Sequence, residues 1–331
     1  MSRDKALSVL RLSKHQYYYK PRIGYRGRKK STVSQRIQNE SISCVDNKEV
    51  VTEIARIHLD PDTRYGYRKM TIQLMLLGFI INHKKVYRLM KEALLLKEKY
   101  KSTGKNYVKY RIVTPEAPLQ VLEMDIKQVW IAGQRRYAYI LTIIDTFTRA
   151  VLHWTVGFQM KKAQIKQAWE SVIIDHLQSE DQLSKGVHVE VRNDNGPQFS
   201  ATSIREFFEE NYLNQVFTHP YTPQENGHIE SFHNILKEAL SGHEFWTLDQ
   251  LEERLNIFYH KYNNVRLHAS IASLWPIKFW QLWNEGKIKR VEKRKNKIKF
   301  VLTIPYQSIS GNGSLREFPA QIRALSTRVR I

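Results

Sequence analysis

The chain has 331 residues, 42% of them hydrophobic, enough for two or three domains with sizeable cores. Lys and Arg number 53 against 32 Asp and Glu; the formal net charge of +21 points to a polyanionic partner, nucleic acid first and an anionic membrane surface second. No apolar run approaches the roughly 20 residues that span a bilayer, no signal peptide is expected, and the single cysteine, Cys44, excludes an intrachain disulfide and a multi-cysteine zinc site.

Residues 1–50 read as a basic arm with short helices. The first thirty residues carry ten Lys or Arg and one acid, Asp4. Asp4–Leu10 can start a short helix, and Ser13 can cap another through Tyr19. Pro21, Gly24 and Gly27 then end regular structure, and Tyr25–Lys30 reads as a flexible basic arm. Residues 51–99 read as a helix-turn-helix domain: helices over Val51–Leu59, Tyr67–Leu77 and His83–Leu95, with Gly78 as a stop and Asn82 as a cap. The last helix sets Lys84, Lys85, Arg88 and Lys91 opposite its apolar stripe of Val86, Leu89 and Met90. A DNA contact and a solvated basic face are both open for it.

Residues 100–118 read as a linker. Residues 119–240 alternate strand and helix: strands over Val121–Ile131, Tyr137–Asp145, Ala150–Val156, Val187–Asn193 and Gln215–Thr218, and helices over Lys161–Leu177, Ser203–Asn211 and Glu225–Leu240. The pattern predicts an α/β core, one mixed sheet with helices on its faces. Residues 241–285 form a helical extension. Residues 286–331 form a basic, partly β tail, with eight Lys or Arg against Glu292 in 286–299.

Three acids stand out. Asp125 lies inside an apolar strand, where a carboxylate is costly unless it binds a cation or is paired. Asp194 follows the valine-rich strand and opens Asp194-Asn-Gly-Pro-Gln-Phe199. Strand ends are favoured ligand positions in open α/β sheets. Glu230 sits on the helix after Pro220-Tyr-Thr-Pro-Gln-Glu-Asn-Gly227. Taken singly, each has an ordinary reading: a paired strand Asp, a turn, a solvated helix Glu. Brought together, three carboxylates suit two Mg²⁺ ions about 3.5–4 Å apart, which cutting and rejoining of phosphodiesters can use. Asp145 is the nearest rival and reads as structural, paired with Arg149. Glu123 flanks Asp125 and is assigned to the opposite face. Glu225, about 140° from Glu230 around a helix, is set aside.

The motifs Met124-Asp125, Ile144-Asp-Thr-Phe-Thr-Arg149, Asn193-Asp-Asn-Gly-Pro-Gln-Phe199 and His219 through Glu238 resemble integrase-core transposases of the DDE type, relatives of retroviral integrases. Tyr262-Asn-Asn-Val-Arg-Leu-His-Ala-Ser270 resembles the segment after the family's catalytic core, and Arg64-Tyr-Gly-Tyr-Arg68 through Leu96 resembles its helix-turn-helix. The resemblance covers roughly residues 50–285. Within the group it is to the downstream-frame product of two-frame bacterial insertion sequences. Where many of these carry Cys-Tyr-Asp-Asn, this chain has Pro223-Gln-Glu-Asn226, nearer to the retroviral form.

The resemblance implies an RNase H-like catalytic core, with Asp125, Asp194 and Glu230 as catalytic ligands of two Mg²⁺ or Mn²⁺ ions. It implies DNA contacts by Lys237, with Asn234, His233, Lys84, Lys85, Arg88 and Arg266 as further candidates. Expected partners are double-stranded DNA (terminal inverted repeats and target), a second copy of the chain on paired ends and the upstream-frame product, in the bacterial cytoplasm with the nucleoid. A non-catalytic DNA-binding accessory protein and a structure-specific nuclease remain as alternatives.

Overall fold

The computed structural model describes residues 2–20, 30–38, 41–96, 114–180, 189–218, 223–293 and 297–309. Two short helices open it, α1 (Arg3–Val9) and α2 (Lys14–Tyr18). Ser13 caps α2 as expected: its hydroxyl accepts from Gln16 N, and Gln16 Oε1 accepts from Ser13 N. The arm at 25–30 lies outside the described residues except for Lys30.

Residues 33–46 correct the arm-and-helix reading of the N-terminal fifty. They form antiparallel strands β1 (Val33–Gln38) and β2 (Ser41–Asp46). Asp46 then caps α3 (Asn47–His58) by accepting from Lys48 N at 2.7 Å, so that helix starts four residues before the expected Val51. After α4 (Tyr67–Leu76), Gly78 takes φ +89° and lets the chain pass close to β1. A Cβ there would sit 2.6 Å from the Ile37 carbonyl oxygen, while Ile37 N donates to Gly78 O. Strand β3 (Phe79–Ile80) completes a three-stranded sheet in the order β2-β1-β3. Asn82 caps α5 (His83–Glu92) through Lys85 N, and Val86, Leu89 and Met90 are buried against Ile54, Met70 and Leu74.

The central sheet has five strands in the order β6-β5-β4-β7-β8. Strands β4 (Val121–Ile131), β5 (Arg136–Asp145) and β6 (Val151–Gly157) run antiparallel. Helix α6 (Lys162–Val172) continues as a wider turn over Ile173–Gln178. Strand β7 (Val189–Asn193) pairs parallel with β4, and beyond α7 (Thr202–Glu210), β8 (Leu213–Phe217) pairs parallel with β7. This is the one mixed sheet that the alternation of strands and helices predicts.

Both faces are covered. Leu122, Met124, Leu141 and Ile143 point to α6 and α7, packing on Ile165, Trp169, Ile204 and Phe208. Ile131, Ala138, Ile140 and Ile144 point the other way, to α8 (Gly227–Leu240) and α9 (Leu248–Asn264), packing on Ile229, Phe232, Phe258 and Tyr259. Each Leu, Ile, Met or Phe side chain among them, fully buried, contributes about 1.5–3 kcal/mol. Helix α10 (Pro276–Asn284) precedes a basic hairpin, β9 (Ile288–Lys293) and β10 (Lys297–Leu302). Phe300 packs there against Phe147 and Phe279. Among the described residues, no helix is long and apolar enough to cross a membrane.

The N-terminal helices dock on the α9 side of the core through charge. Arg254 donates to both Asp62 carboxylate oxygens, at 2.7 and 3.2 Å, and Lys261 lies 2.8 Å from Asp60. The Tyr65 hydroxyl accepts from Leu267 N at 2.9 Å, and Leu267 is buried in the N-terminal core.

Candidate active site

Asp125 lies midway along β4, half-buried. One carboxylate oxygen accepts from Ile126 N at 2.7 Å, and the other is 3.2 Å from His233 Nδ1. Residues two apart on a strand share a face. The neighbours Leu122 and Met124 enter the α6–α7 core, so Glu123 and Asp125 both look toward α8. The opposite-face expectation for Glu123 is therefore wrong.

Asp194 follows the last residue of β7 and is exposed; its Oδ1 accepts from Gly196 N at 3.0 Å. The parallel register pairs Glu123 with Arg192. Asp125 lies two residues beyond Glu123 on β4, and Asp194 two residues beyond Arg192, just past the end of β7. The Asp194 carboxyl is held above its usual range chiefly by partial desolvation, opposed by the Gly196 N–H, with the negative charge of Asp125 adding to the rise. The two asparagines that flank Asp194 hold its loop. Asn193 Oδ1 accepts from Gln215 Nε2 at 3.0 Å, and Asn195 Nδ2 donates to Thr218 O at 2.9 Å. The sequence signal here is Asn193-Asp-Asn-Gly196, whose Asp-Asn-Gly on its own reads as a turn.

Glu230 is exposed in the first turn of α8, where the helix dipole favours a negative charge. Asn234 and Lys237 are also exposed and lie within about 40° of Glu230 around the helix axis. The three make one polar stripe. His233, expected beside them as a DNA contact, instead turns inward onto Asp125, with 12% of its side chain exposed. Its other ring nitrogen is buried and lacks a partner among the described residues.

Glu123, passed over from the sequence, is fully buried. It accepts from Ile229 N at 2.7 Å and lies 3.1 Å from His228 Nδ1. Burial pushes its carboxyl up to about 7, against the pull of the Ile229 N–H, Arg149 and Arg192, while Asp125 pushes it further up.

Asp145, the rival ligand, is buried at the end of β5 and fully engaged. It accepts from Leu119 N, Phe147 N, Thr148 N and the Thr148 hydroxyl, the last at 2.6 Å. These N–H and O–H donors satisfy it within the fold, and its charge also acts on the buried Arg149 guanidinium, the partner expected for it.

Among the described residues, no three His, Cys, Asp or Glu side chains converge as ligands of one ion. Asp194 feels the charge of Asp125, whereas Glu230 stands on the exposed side of α8. The donor chemistry fits a hard divalent cation: carboxylate oxygens, two of them like-charged neighbours that a cation would stabilise.

The other basic candidates are placed unevenly. Lys84 is exposed. Lys85 Nζ donates to Val33 O, and Arg88 Nη2 donates to Ser31 O at 3.0 Å, so the β1 segment takes up part of the α5 basic face. Arg266 donates to the Asp62 carbonyl in the docking corner. Lys85, Arg88 and Arg266, expected as DNA contacts, each make a hydrogen bond within the chain in the DNA-free protein.

Three family models match the chain. Two describe an integrase core domain, over residues 115–223 and 211–276, and one an HTH-like domain, over 46–101. The chain is 27% identical over 231 residues to the Insertion element IS476 uncharacterized 39.2 kDa protein of Xanthomonas euvesicatoria, covering 69% of this chain and 63% of that one. It thus spans just under two thirds of that relative's length. It is 26% identical over 247 residues to the Putative transposase InsK for insertion sequence element IS150 of Escherichia coli, covering 70% and 82%. A chain of the simian T-cell lymphotropic virus intasome, solved with PP2A regulatory subunit B56 gamma, aligns with a TM-score of 0.42 at 15% identity, covering 74% of this chain and 77% of that one.

Proposed function

We propose that this chain, which carries an integrase core domain behind an HTH-like domain, is a transposase that cuts and joins DNA at the ends of an insertion sequence, with Asp125, Asp194 and Glu230 as metal ligands. The observation that carries the reading is the like-charged pair of Asp125 on β4 and Asp194 just past the end of the adjacent parallel strand β7, beside the helix that bears Glu230. Bound by these acids, two Mg²⁺ or Mn²⁺ ions would supply activation of a water or 3′ hydroxyl and stabilisation of charge at the phosphate.

The chain's own groups do the rest. His233 orients Asp125 through Nδ1. The backbone N–H of Gly196 fixes the Asp194 carboxylate. Lys237 and Asn234 extend the Glu230 stripe and would hold backbone phosphate near the cut, positioning DNA without reading its sequence. Water and a DNA hydroxyl are the nucleophiles, so no Ser or Tyr attacks and no covalent protein–DNA intermediate forms. Lys84 on α5 and the basic β9–β10 hairpin would hold further phosphates. Pairing of two element ends calls for an oligomer, and the upstream-frame product is a candidate partner.

The test is strand transfer of a labelled oligonucleotide bearing the element's end, with Mg²⁺. Joined product is expected from the wild-type chain, and Glu230→Gln or Asp194→Asn should abolish it. Wild-type joining by either variant would overturn the assignment. One observation favours a second reading, a non-catalytic DNA-binding protein: among the described residues, the three acids do not converge as a ligand set. DNA binding that ignores metal, with no cleavage in Mg²⁺ or Mn²⁺, would support that reading. Cutting without joining would mark a structure-specific nuclease.

A further inference from the structure

Helix α8 begins without a cap of its own. The first N–H groups of a helix lack intrahelical acceptors, and a side chain just before the helix usually accepts from one of them. Asn226 stands at that position and makes no such bond, and its Oδ1 is buried with no partner among the described residues. The acceptor comes instead from the sheet. Glu123 on β4 reaches Ile229 N at 2.7 Å with one oxygen and lies 3.1 Å from His228 Nδ1 with the other, across more than 100 residues of sequence.

A second contact repeats the arrangement further along the same elements, where Asp125 meets His233. From Glu123 to Asp125 the strand advances about 6.6 Å, and from residues 228–229 to 233 the helix advances about 6–7.5 Å. The two elements therefore run side by side in step, tied at two points. Glu230 falls between those points, one residue beyond Ile229. Arg192, the register partner of Glu123 on β7, adds a third tie by donating to Glu225 O at 3.4 Å, just ahead of the helix.

We infer that Glu123 is a positioning residue: as a cap supplied from the sheet, it fixes where α8 begins and so where Glu230 stands relative to Asp125. The inference rests on the transposase reading for its consequence in DNA joining, but not for the capping itself. What α8 requires is an acceptor at the right reach, not a negative charge. Glutamine keeps that acceptor, and its amide can donate to His228 in the other ring tautomer. Aspartate keeps the charge but falls short by about 1.5 Å, one carbon–carbon bond.

The test compares full-length wild type with Glu123→Gln, Glu123→Asp and Glu123→Ala. Hydrogen exchange is followed over 227–233 and over β5, and Mg²⁺-dependent joining is measured in parallel. Glu123→Ala and Glu123→Asp should speed exchange at the start of α8 by about tenfold, as loss of a helix cap does, leave β5 unchanged and depress joining. Glu123→Gln should stay within about threefold of wild type in both measurements. Should Glu123→Ala fail to fold, Gln against Asp decides alone. If Gln behaves like Asp, or if Asp leaves α8 exchange at the wild-type level, the inference is overturned. If the wild type does not join DNA, the transposase reading falls, and the exchange data still decide what Glu123 does.

Discussion

Two regions of the molecule use aspartates at the junctions between elements, and they treat them in opposite ways. In the docking corner, Asp62 is 3% exposed and meets the Arg254 guanidinium with both oxygens, with Lys261 at 3.5 Å. Asp60 is paired with Lys261 as well. At the sheet rim where β7 ends, Asp194 stands near the Asp125 carboxylate of β4 and is held back from ionising partly by that neighbour's charge. A carboxylate that serves the fold finds its cations within the chain. One kept beside a like charge is placed for a cation from outside. Asp145 shows a further way to serve the fold, satisfied by N–H and O–H donors of its own turn and by the distant Leu119 N–H.

The sharpest way to break this contrast is to neutralise one acid from each region. Asp125→Asn should cut joining roughly a thousandfold, the several kcal/mol a metal-held transition state is worth, as read from single-turnover strand transfer. Its unfolding free energy should change by less than about 1 kcal/mol, since the substitution relieves repulsion with Asp194. Asp62→Asn should do the reverse in stability. It leaves Arg254 and Lys261 facing each other without a counter-charge, and urea unfolding should show a loss of about 3–5 kcal/mol.

A smaller effect separates Glu123 from both groups. Its carboxyl is raised to about 7 in the fold, from an ordinary 4.5. The folded state therefore binds its proton more tightly than the unfolded chain. The stability this gives is fully present below pH 4.5 and is lost as pH rises through 7. Glu123→Gln should flatten stability against pH over that window by at most about 3 kcal/mol, measured by chemical unfolding in metal-free buffer. Smallest is the contrast on α5. Lys84→Ala should lower DNA affinity a few-fold and reduce the salt dependence of binding by about one unit of slope. Lys85→Ala should do less, because its ammonium is already committed to Val33 O.

Much of this was legible from local pattern. Strand β4 is observed over the same eleven residues that the apolar alternation predicts, and the Asn82 cap and the Gly78 stop act as read. What escaped depends on distance along the chain. The docking corner joins residues 192 apart, which no local pattern reports. The β1–β2 hairpin was hidden by its basic, turn-rich surroundings, although Ile37 and Ile42 face each other across it. Its third strand, β3, comes from beyond two helices. Reading Glu123 as turned away from Asp125 misapplied the strand alternation. Its face could have been read from the sequence, but its partner on α8 could not. His233 lies about 60° from Glu230 around the helix, a spacing that suits a ring facing DNA and a ring turned toward the sheet until the contact with Asp125 is known.

The central claim is that Asp125 and Asp194 are held together for a divalent cation. Its most direct test is equilibrium binding of Mn²⁺ to the DNA-free protein, measured for the wild type and for Asp125→Asn and Asp194→Asn, with Asp62→Asn at a temperature where it stays folded. Either rim substitution should weaken Mn²⁺ binding by at least about tenfold, the loss of one charged oxygen ligand, while Asp62→Asn should leave it unchanged. Equal Mn²⁺ affinity in the wild type and both rim variants would contradict it.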